Sequence, residues 1–214
     1  MPTADELEEK GLRKGSRNRS DGQKAQLRSH ILHTATEMFV ELGYHDFSMR
    51  KLAMRVGCSA ATLYLYFHDK DDLLFTSIDN TFTLFRNQLA DAAIRSNDPW
   101  ERLSSLAEAY VHFGINNPAY YRLMFMWRVD YLNGSQKGEN NLRVEAFQVL
   151  ADTVTYAIEH GAMQPGDPIV YSDVLWSVMH GIVALAIQIP GFDEQRTENL
   201  TELAKMMIYK AFHQ

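Results

Sequence analysis

Phe47 to Lys70 reads FSMRKLAMRVGCSAATLYLYFHDK. Two short helices and a tight turn account for it. Ser48 suits the N-cap of a helix running through Val56, with Leu52, Ala53 and Val56 facing inward and Arg50, Lys51 and Arg55 left polar. Gly57 stops that helix and Ser59 caps the next, so only about three residues separate the two, the spacing of a helix-turn-helix unit. At about 100° per residue, Ala60, Leu63 and Phe67 of the second helix form one inner face. Ala61, Thr62, Leu65 and His68 point the other way, and Tyr64 and Tyr66 stand on the flanks. Folding alone does not require such large groups on an exposed side. A helix that enters a major groove uses them: short or apolar side chains meet base edges and thymine methyls, and flanking hydroxyls reach phosphates.

Upstream, Ile31, Leu32, Ala35, Met38, Phe39 and Leu42 repeat on one face and predict a helix from about Gln23 to Leu42, with Gly43 as its C-cap. Residues 1–23 are polar and charged and read as a disordered arm. Its basic half, Lys10, Arg13, Lys14, Arg17 and Arg19, suits DNA phosphates or a minor groove, and a solvated tail fits the same composition.

Charge follows the same division. The 214-residue chain has a formal net charge of −6. Residues 10–70 nevertheless hold eleven Lys and Arg against five Asp and Glu, whereas residues 71–214 hold ten against eighteen. A basic amino-terminal module on an acidic body is the asymmetry expected of a small DNA-binding domain joined to a regulatory domain. The organisation expected is therefore an arm at 1–23, a helix-turn-helix domain at 24–70, and a helical body at 71–214.

The body reads as helix throughout, giving an all-α chain with neither strand alternation nor a repeat. A long helix continues from Lys70 to about Ser96. Asp98-Pro99, Asn117-Pro118 and Asp167-Pro168 each combine a capping side chain with proline at the first helical position. The first opens a helix to about Asn116, the second begins AYYRLMFMW, and the third opens a helix to Ile189. Arg128 to Asn140 reads as a loop. A helix from about Asn141 to His160 follows it, and the last helix spans about Thr197 to Phe212, with Leu200, Leu203, Ala204, Met207, Ile208 and Ala211 as its stripe. The apolar run Val174–Pro190 is broken by Ser177, His180 and Gln188 and falls short of the roughly 20 apolar residues of a membrane span, so it is expected to be a buried helix.

The chain resembles the TetR (tetracycline-repressor-like) family of transcriptional regulators. The resemblance runs from about Ile31 to Leu74 and rests on ATEMFVELGY, on FSMRKLAMRVGCSAATLYLYF and on the lysine of HDKDDLL. It implies a three-helix DNA-binding domain on an all-helical ligand-binding and dimerisation domain. It also implies that Thr62, Tyr64, Tyr66 and Lys70 contact operator DNA, that Ser48 to Arg50 meet the backbone, and that the last two helices pair with their copies. With the outward residues of the second helix, the expected DNA-binding set is Ser48, Arg50, Ser59, Ala61, Thr62, Tyr64, Leu65, Tyr66 and Lys70. Cys58 stands where the family often has a small aliphatic residue. It reads as a turn-packing residue, with redox sensing as the alternative. The segment Trp176-Ser-Val-Met-His180-Gly181, with YRLMF at 121–125, is similar to a subgroup marked by a W…HG pattern.

Aromatic and methionine side chains crowd the body. As a set, Phe82, Tyr110, Phe113, Tyr121, Met124, Phe125, Phe147, Trp176, Met179 and His180 suit an apolar effector cavity, although each singly reads equally as core. Trp176 and His180 are i, i+4 and share a face. His180 is either a ligand partner or a satisfied core histidine, and Gly181 offers room for another helix to approach. No enzyme motif is present: neither a G-x-S-x-G elbow nor a Walker loop, H-E-x-x-H or G-x-G-x-x-G. His30 and His33 lack the further ligands a metal site needs, and no cofactor is expected. One cysteine and an acidic N-terminus fit a cytoplasmic protein. The function expected is a homodimeric, sequence-specific DNA-binding regulator, a repressor released from its operator by a small apolar or amphipathic effector. An activator of the same fold, or a helical small-molecule-binding protein that does not act on DNA, are the alternatives.

Overall fold

The computed structural model describes residues 4–126 and 142–213, with side chains from residue 22 onward. Trp127 and the expected loop from Arg128 to Asn140 lie outside the described residues. All regular elements among the described residues are helical, and the chain divides into two compact units, Met1–Ser77 and Ile78–Gln214.

The first unit holds α1 (Ala4–Asp46), α2 (Met49–Val56), α3 (Ala60–Tyr64) and the opening turns of α4 (Lys70–Ala93). The backbone of α1 is helical from Ala4, where the sequence suggests a disordered arm to residue 23. Residues 5–14 are rich in Glu, Leu, Lys and Arg, all good helix formers, so local propensity accounts for the extension without an apolar stripe. The stripe of α1 is buried as expected at Ile31, Leu32, Ala35, Met38 and Phe39. Gly43, with φ 75°, interrupts the helix in a conformation other residues rarely adopt. Phe47 then folds back, its ring centroid 3.9 Å from that of Phe39. Leu52, Leu63, Phe67, Leu73 and Leu74 close the core of this unit, each almost wholly buried.

The second unit contains the rest of α4, then α5 (Pro99–Asn116), α6 (Pro118–Tyr121), a π-helical turn at Arg122–Met126, α7 (Leu142–Glu159), α8 (Pro168–Gln188) and α9 (Glu194–Phe212). Helices α5 and α8 are central: each packs on the other and on both α7 and α9. Asp98 and Asp167 cap as the sequence suggests, accepting from Glu101 N and Ile169 N, both at 2.8 Å. Asn117 does not. It is the only residue between α5 and α6, and its Nδ2 turns back to donate to Phe113 O at 3.0 Å. Helix α4 ends at Ala93, one turn before the expected Ser96, because the Ser96 hydroxyl accepts from Asp98 N at 3.0 Å in the following turn. Asp193 accepts from Arg196 N at 2.8 Å, so α9 starts at Glu194 and not at Thr197.

Packing departs from the sequence reading at α8 and α9. A Cβ placed on Gly114 of α5 would lie 2.3 Å from Val183 Cγ1 of α8. Helices α5 and α8 therefore approach closely here, whereas a Cβ on Gly181 would meet nothing within 4 Å. Helix α8 is long and apolar enough to cross a membrane by length and composition, yet it is not the buried helix expected. Val170, Val174 and Leu185 of α8 and Ile189 at its C-cap are exposed, as are Leu203, Met206 and Met207 of α9. The expected stripe of α9 thus splits: Leu200, Ala204 and Ile208 are half-buried, while Leu203 and Met207 face away from the chain.

Candidate functional site: a helix-turn-helix face and an aromatic cavity

The turn between α2 and α3 is built by backbone bookkeeping. Ser48, in extended conformation, accepts from Lys51 N through its hydroxyl at 3.2 Å. Gly57, with φ 79° and ψ 31°, ends α2 in the left-handed region, and the N–H groups of Gly57 and Cys58 both donate to Ala53 O at 3.0 Å. Cys58 lies half-buried in this turn, and burial pushes its thiol pKa up, which suits a packing residue and opposes a reactive thiolate. Ser59 then caps α3: its hydroxyl accepts from Thr62 N at 3.0 Å and bonds the Thr62 hydroxyl at 2.8 Å.

Regular α3 is only five residues long, shorter than the sequence phase assumes, but Tyr66 N and Phe67 N both bond Leu63 O and carry the turn onward. The inner residues are buried at Leu63 and Phe67 and half-buried at Ala60. On the outside, Ala61 and Ser59 are exposed, Tyr64 is 55 % exposed and Leu65 84 %. Thr62, Tyr66 and Ser48 are half-buried, and Arg50 is exposed on α2. The outward residues of α3 and its cap therefore share one surface. Lys70 sits apart in character. Its ammonium lies 3.9 Å from the Tyr44 ring centroid, and burial lowers its pKa against the raising effect of Asp71 and Asp46. Tyr44 in turn donates to Asp71. These contacts hold Lys70 at the first turn of α4, where helix polarity alone disfavours a cation.

The second unit contains a cavity of about 430 Å³. Eight of the ten residues expected to face an effector line it: Phe82, Tyr110, Met124, Phe125, Phe147, Trp176, Met179 and His180. Phe113 and Tyr121 do not. Phe113 packs against Phe85, ring centroids 4.9 Å apart, and Tyr121 lies fully buried behind the wall. The π-helical turn brings Met124 and Phe125 to the cavity, and Arg122 at its start donates to Ile187 O at 2.6 Å near the end of α8. Phe85, one of the aromatic residues crowding the body, lines the cavity too, and the sequence reading overlooked Leu89 and Arg143, which also line it. Arg143 was detectable, since it precedes Phe147 by four residues on α7 and so shares its face. Its guanidinium lies 5.4 Å from the Phe82 ring centroid.

Four polar side chains are threaded through this aromatic wall. Trp176 Nε1 donates to Tyr110 Oη at 3.0 Å, Tyr110 and Tyr121 hydroxyls are 2.9 Å apart, and Tyr121 Oη is 2.6 Å from His180 Nδ1. Burial pushes the Tyr110 pKa up to about 12 and raises that of Tyr121 further, so both remain phenols. Burial lowers the His180 pKa, which favours the neutral imidazole. A second apolar cavity of about 430 Å³ lies among α5, α8 and α9 and shares Leu106, Leu150 and Met179 with the first.

Residues 31–76 match the family model of bacterial regulatory proteins of the tetR family, and residues 103–210 match that of the tetracyclin repressor-like C-terminal domain. The chain belongs to the TetR family. Among curated relatives, it is 31 % identical over 115 residues to the HTH-type transcriptional activator FasR of Mycolicibacterium smegmatis, covering 54 % of this chain and 51 % of that one. It is 31 % identical over 83 residues to the HTH-type transcriptional regulator HbdR of Aromatoleum sp., covering 39 % and 36 %. The chain thus spans about half or less of the length of these relatives. A solved structure of a protein of unknown function from Rhodococcus sp. RHA1 superposes with a TM-score of 0.68 at 25 % identity, over 88 % of this chain and 96 % of that one.

Proposed function

We propose that this TetR family member is a homodimeric, sequence-specific DNA-binding transcriptional regulator acting in the cytoplasm, a repressor that leaves its operator when an apolar or amphipathic molecule fills the aromatic cavity. The observation that carries the reading is the outer surface of α3. Leu65 and Tyr64 stand exposed beside Ala61, Thr62 and Ser59 on a helix whose other side is fixed in the core. In this reading α3 of each protomer enters a major groove, with half-site centres roughly 34–36 Å apart. Arg50 and Ser48 approach the backbone, Tyr64, Tyr66 and Lys70 reach phosphates, and Ala61, Thr62 and Leu65 meet base edges. The basic half of residues 1–23, from Lys10 to Arg19, supplies an extension for the flanking groove.

The exposed apolar stripes of α8 and α9 support the dimer, because large apolar surfaces on a soluble chain mark association. Occupancy of the cavity shifts the dimer only as far as its occupant binds the non-DNA form better. A footprint of purified protein on its own upstream DNA tests the proposal. The expected result is a protected two-fold site and selective binding over random duplex at moderate salt, lost in Tyr64→Ala without loss of fold. Equal affinity for random duplex would refute it. An activator of the same fold is the second reading, favoured by the description of FasR as an activator. The position of the footprint relative to the promoter separates the two.

A further inference from the structure

The polar chain behind the cavity has a direction. An indole N–H only donates, so Tyr110 Oη accepts from Trp176. If His180 Nδ1–H donated to Tyr121 and Tyr121 to Tyr110, the Tyr110 hydroxyl would accept twice and its own proton would be left without a partner in a buried site. That arrangement is disfavoured by the cost of an unmade buried bond. Run the other way, every proton is used: Tyr110 donates to Tyr121, and Tyr121 donates to His180 Nδ1 at 2.6 Å. The histidine ring then accepts at Nδ1 and carries its proton at Nε2. No described residue pairs with Nε2, yet buried side-chain nitrogens and oxygens among the described residues all have partners. Nε2 is therefore reached from open space, and His180 lines the aromatic cavity. The question whether His180 is a satisfied core residue or a ligand partner resolves by atom: Nδ1 is satisfied, and Nε2–H is presented.

We propose that His180 Nε2–H is the hydrogen-bond donor for the cavity's occupant, which is a mostly apolar molecule bearing a carbonyl-type acceptor oxygen. The inference deepens the effector reading above and rests on it. The surrounding wall is mostly apolar, Phe82, Phe85, Leu89, Phe125 and Phe147, with Arg143 at Phe82 as its one cation among the lining residues, and an oxygen buried against the rings without a donor would lose its hydration uncompensated. Tyr121, buried behind the wall, is a positioning residue that fixes the histidine tautomer and ring angle, and Tyr110 backs it while itself lining the cavity.

The test compares two molecules of one shape on the full-length protein, 2-undecanone and 2-methyl-1-undecene, with decanoate as a third probe to separate a neutral carbonyl from a carboxylate. Binding is read from intrinsic tryptophan fluorescence, to which Trp176 contributes, and from the shift in thermal unfolding. The ketone is expected to bind about tenfold more tightly than the alkene, the scale of one buried hydrogen bond. His180→Phe removes the preference, His180→Gln, which keeps an N–H, recovers most of it, and Tyr121→Phe falls between. Decanoate binding at least as tightly as the ketone assigns a carboxylate; weaker binding assigns a neutral carbonyl. Equal binding of ketone and alkene to the unmutated protein, or a preference untouched by His180→Phe, overturns the inference while leaving the effector cavity standing. Failure of all three probes to bind overturns the inference and the effector reading together, and leaves the DNA footprint as a separate question.

Discussion

Asp69 shows how much a single side chain does at the end of the helix-turn-helix face. One carboxylate oxygen accepts from Asp71 N at 2.9 Å and Asp72 N at 2.8 Å, and the other lies 3.0 Å from His68 Nδ1. Asp72 reciprocates by accepting from His68 N at 2.7 Å. The start of α4 is thus closed on both sides, a variant of a capping box. The backbone bond from Asp72, then the bond with His68, hold the Asp69 carboxyl below the usual carboxylate range. A depressed folded-state pKa contributes stability that is present above the unfolded value, roughly 3.9, and is lost as pH falls through the folded value. Asp69→Ala is therefore expected to destabilise the first unit by about 1 kcal/mol near neutral pH. The gap to the unmutated protein should narrow in acid. Urea unfolding at pH 7 and pH 3 reads both effects, and a gap unchanged between them would show that the carboxylate charge is not what caps the helix. Asp69 was legible in principle as D-K-D-D, an acceptor just ahead of the helix with acids at its second and third positions. Ser48, Ser59 and Gly57 were legible because each occupies a position where backbone geometry leaves few alternatives.

Elements reveal where periodicity suffices and where it does not. The helices opened by Asp98-Pro99 and Asp167-Pro168 begin where the sequence places them, since a capping side chain and a proline fix the same boundary twice. The contact of α5 with α8 was not legible, because a glycine within a helix carries no mark of which helix comes near it. Gly181 offered the same signal and meets nothing within 4 Å, while at Gly114 an added Cβ would sit 2.3 Å from buried Val183. Val183 is short and fully buried, so it has little room to yield. Gly114→Ala should therefore cost about 1–3 kcal/mol through overpacking, despite alanine's better helix propensity. Thermal unfolding of Gly114→Ala with and without Val183→Ala checks this: the second change should return part of the loss. A more stable Gly114→Ala would mean the two helices can separate freely. The same limit applies to the stripes of α8 and α9. Apolar periodicity reports a surface that avoids water and is silent on what covers it.

At the scale of the molecule, two independent features support the proposed DNA-reading dimer. The basic excess lies in residues 10–70 and the acidic excess in 71–214, the distribution that would let the first unit attract a polyanion while the body repels it. A five-residue helix reads few base pairs, and two-fold pairing doubles the site without new contacts per protomer. The surface available for pairing is specific: Val170, Val174, Gly181, Leu185 and Ile189 recur along one side of α8, and Leu203, Met206 and Met207 stand exposed on α9. Gly181 allows this pairing to be tested without disturbing the fold, since a side chain there finds open space within its own chain. Gly181→Arg is expected to leave helix content and the cavity intact and to convert the dimer to monomer by sedimentation, through a charge and bulk set into an apolar face. Affinity for a two-fold operator should then fall by at least tenfold, while weak binding to a single half-site persists. If Gly181→Arg sediments as a dimer and keeps full operator affinity, α8 is not the pairing surface, and its exposed stripe must serve some other contact.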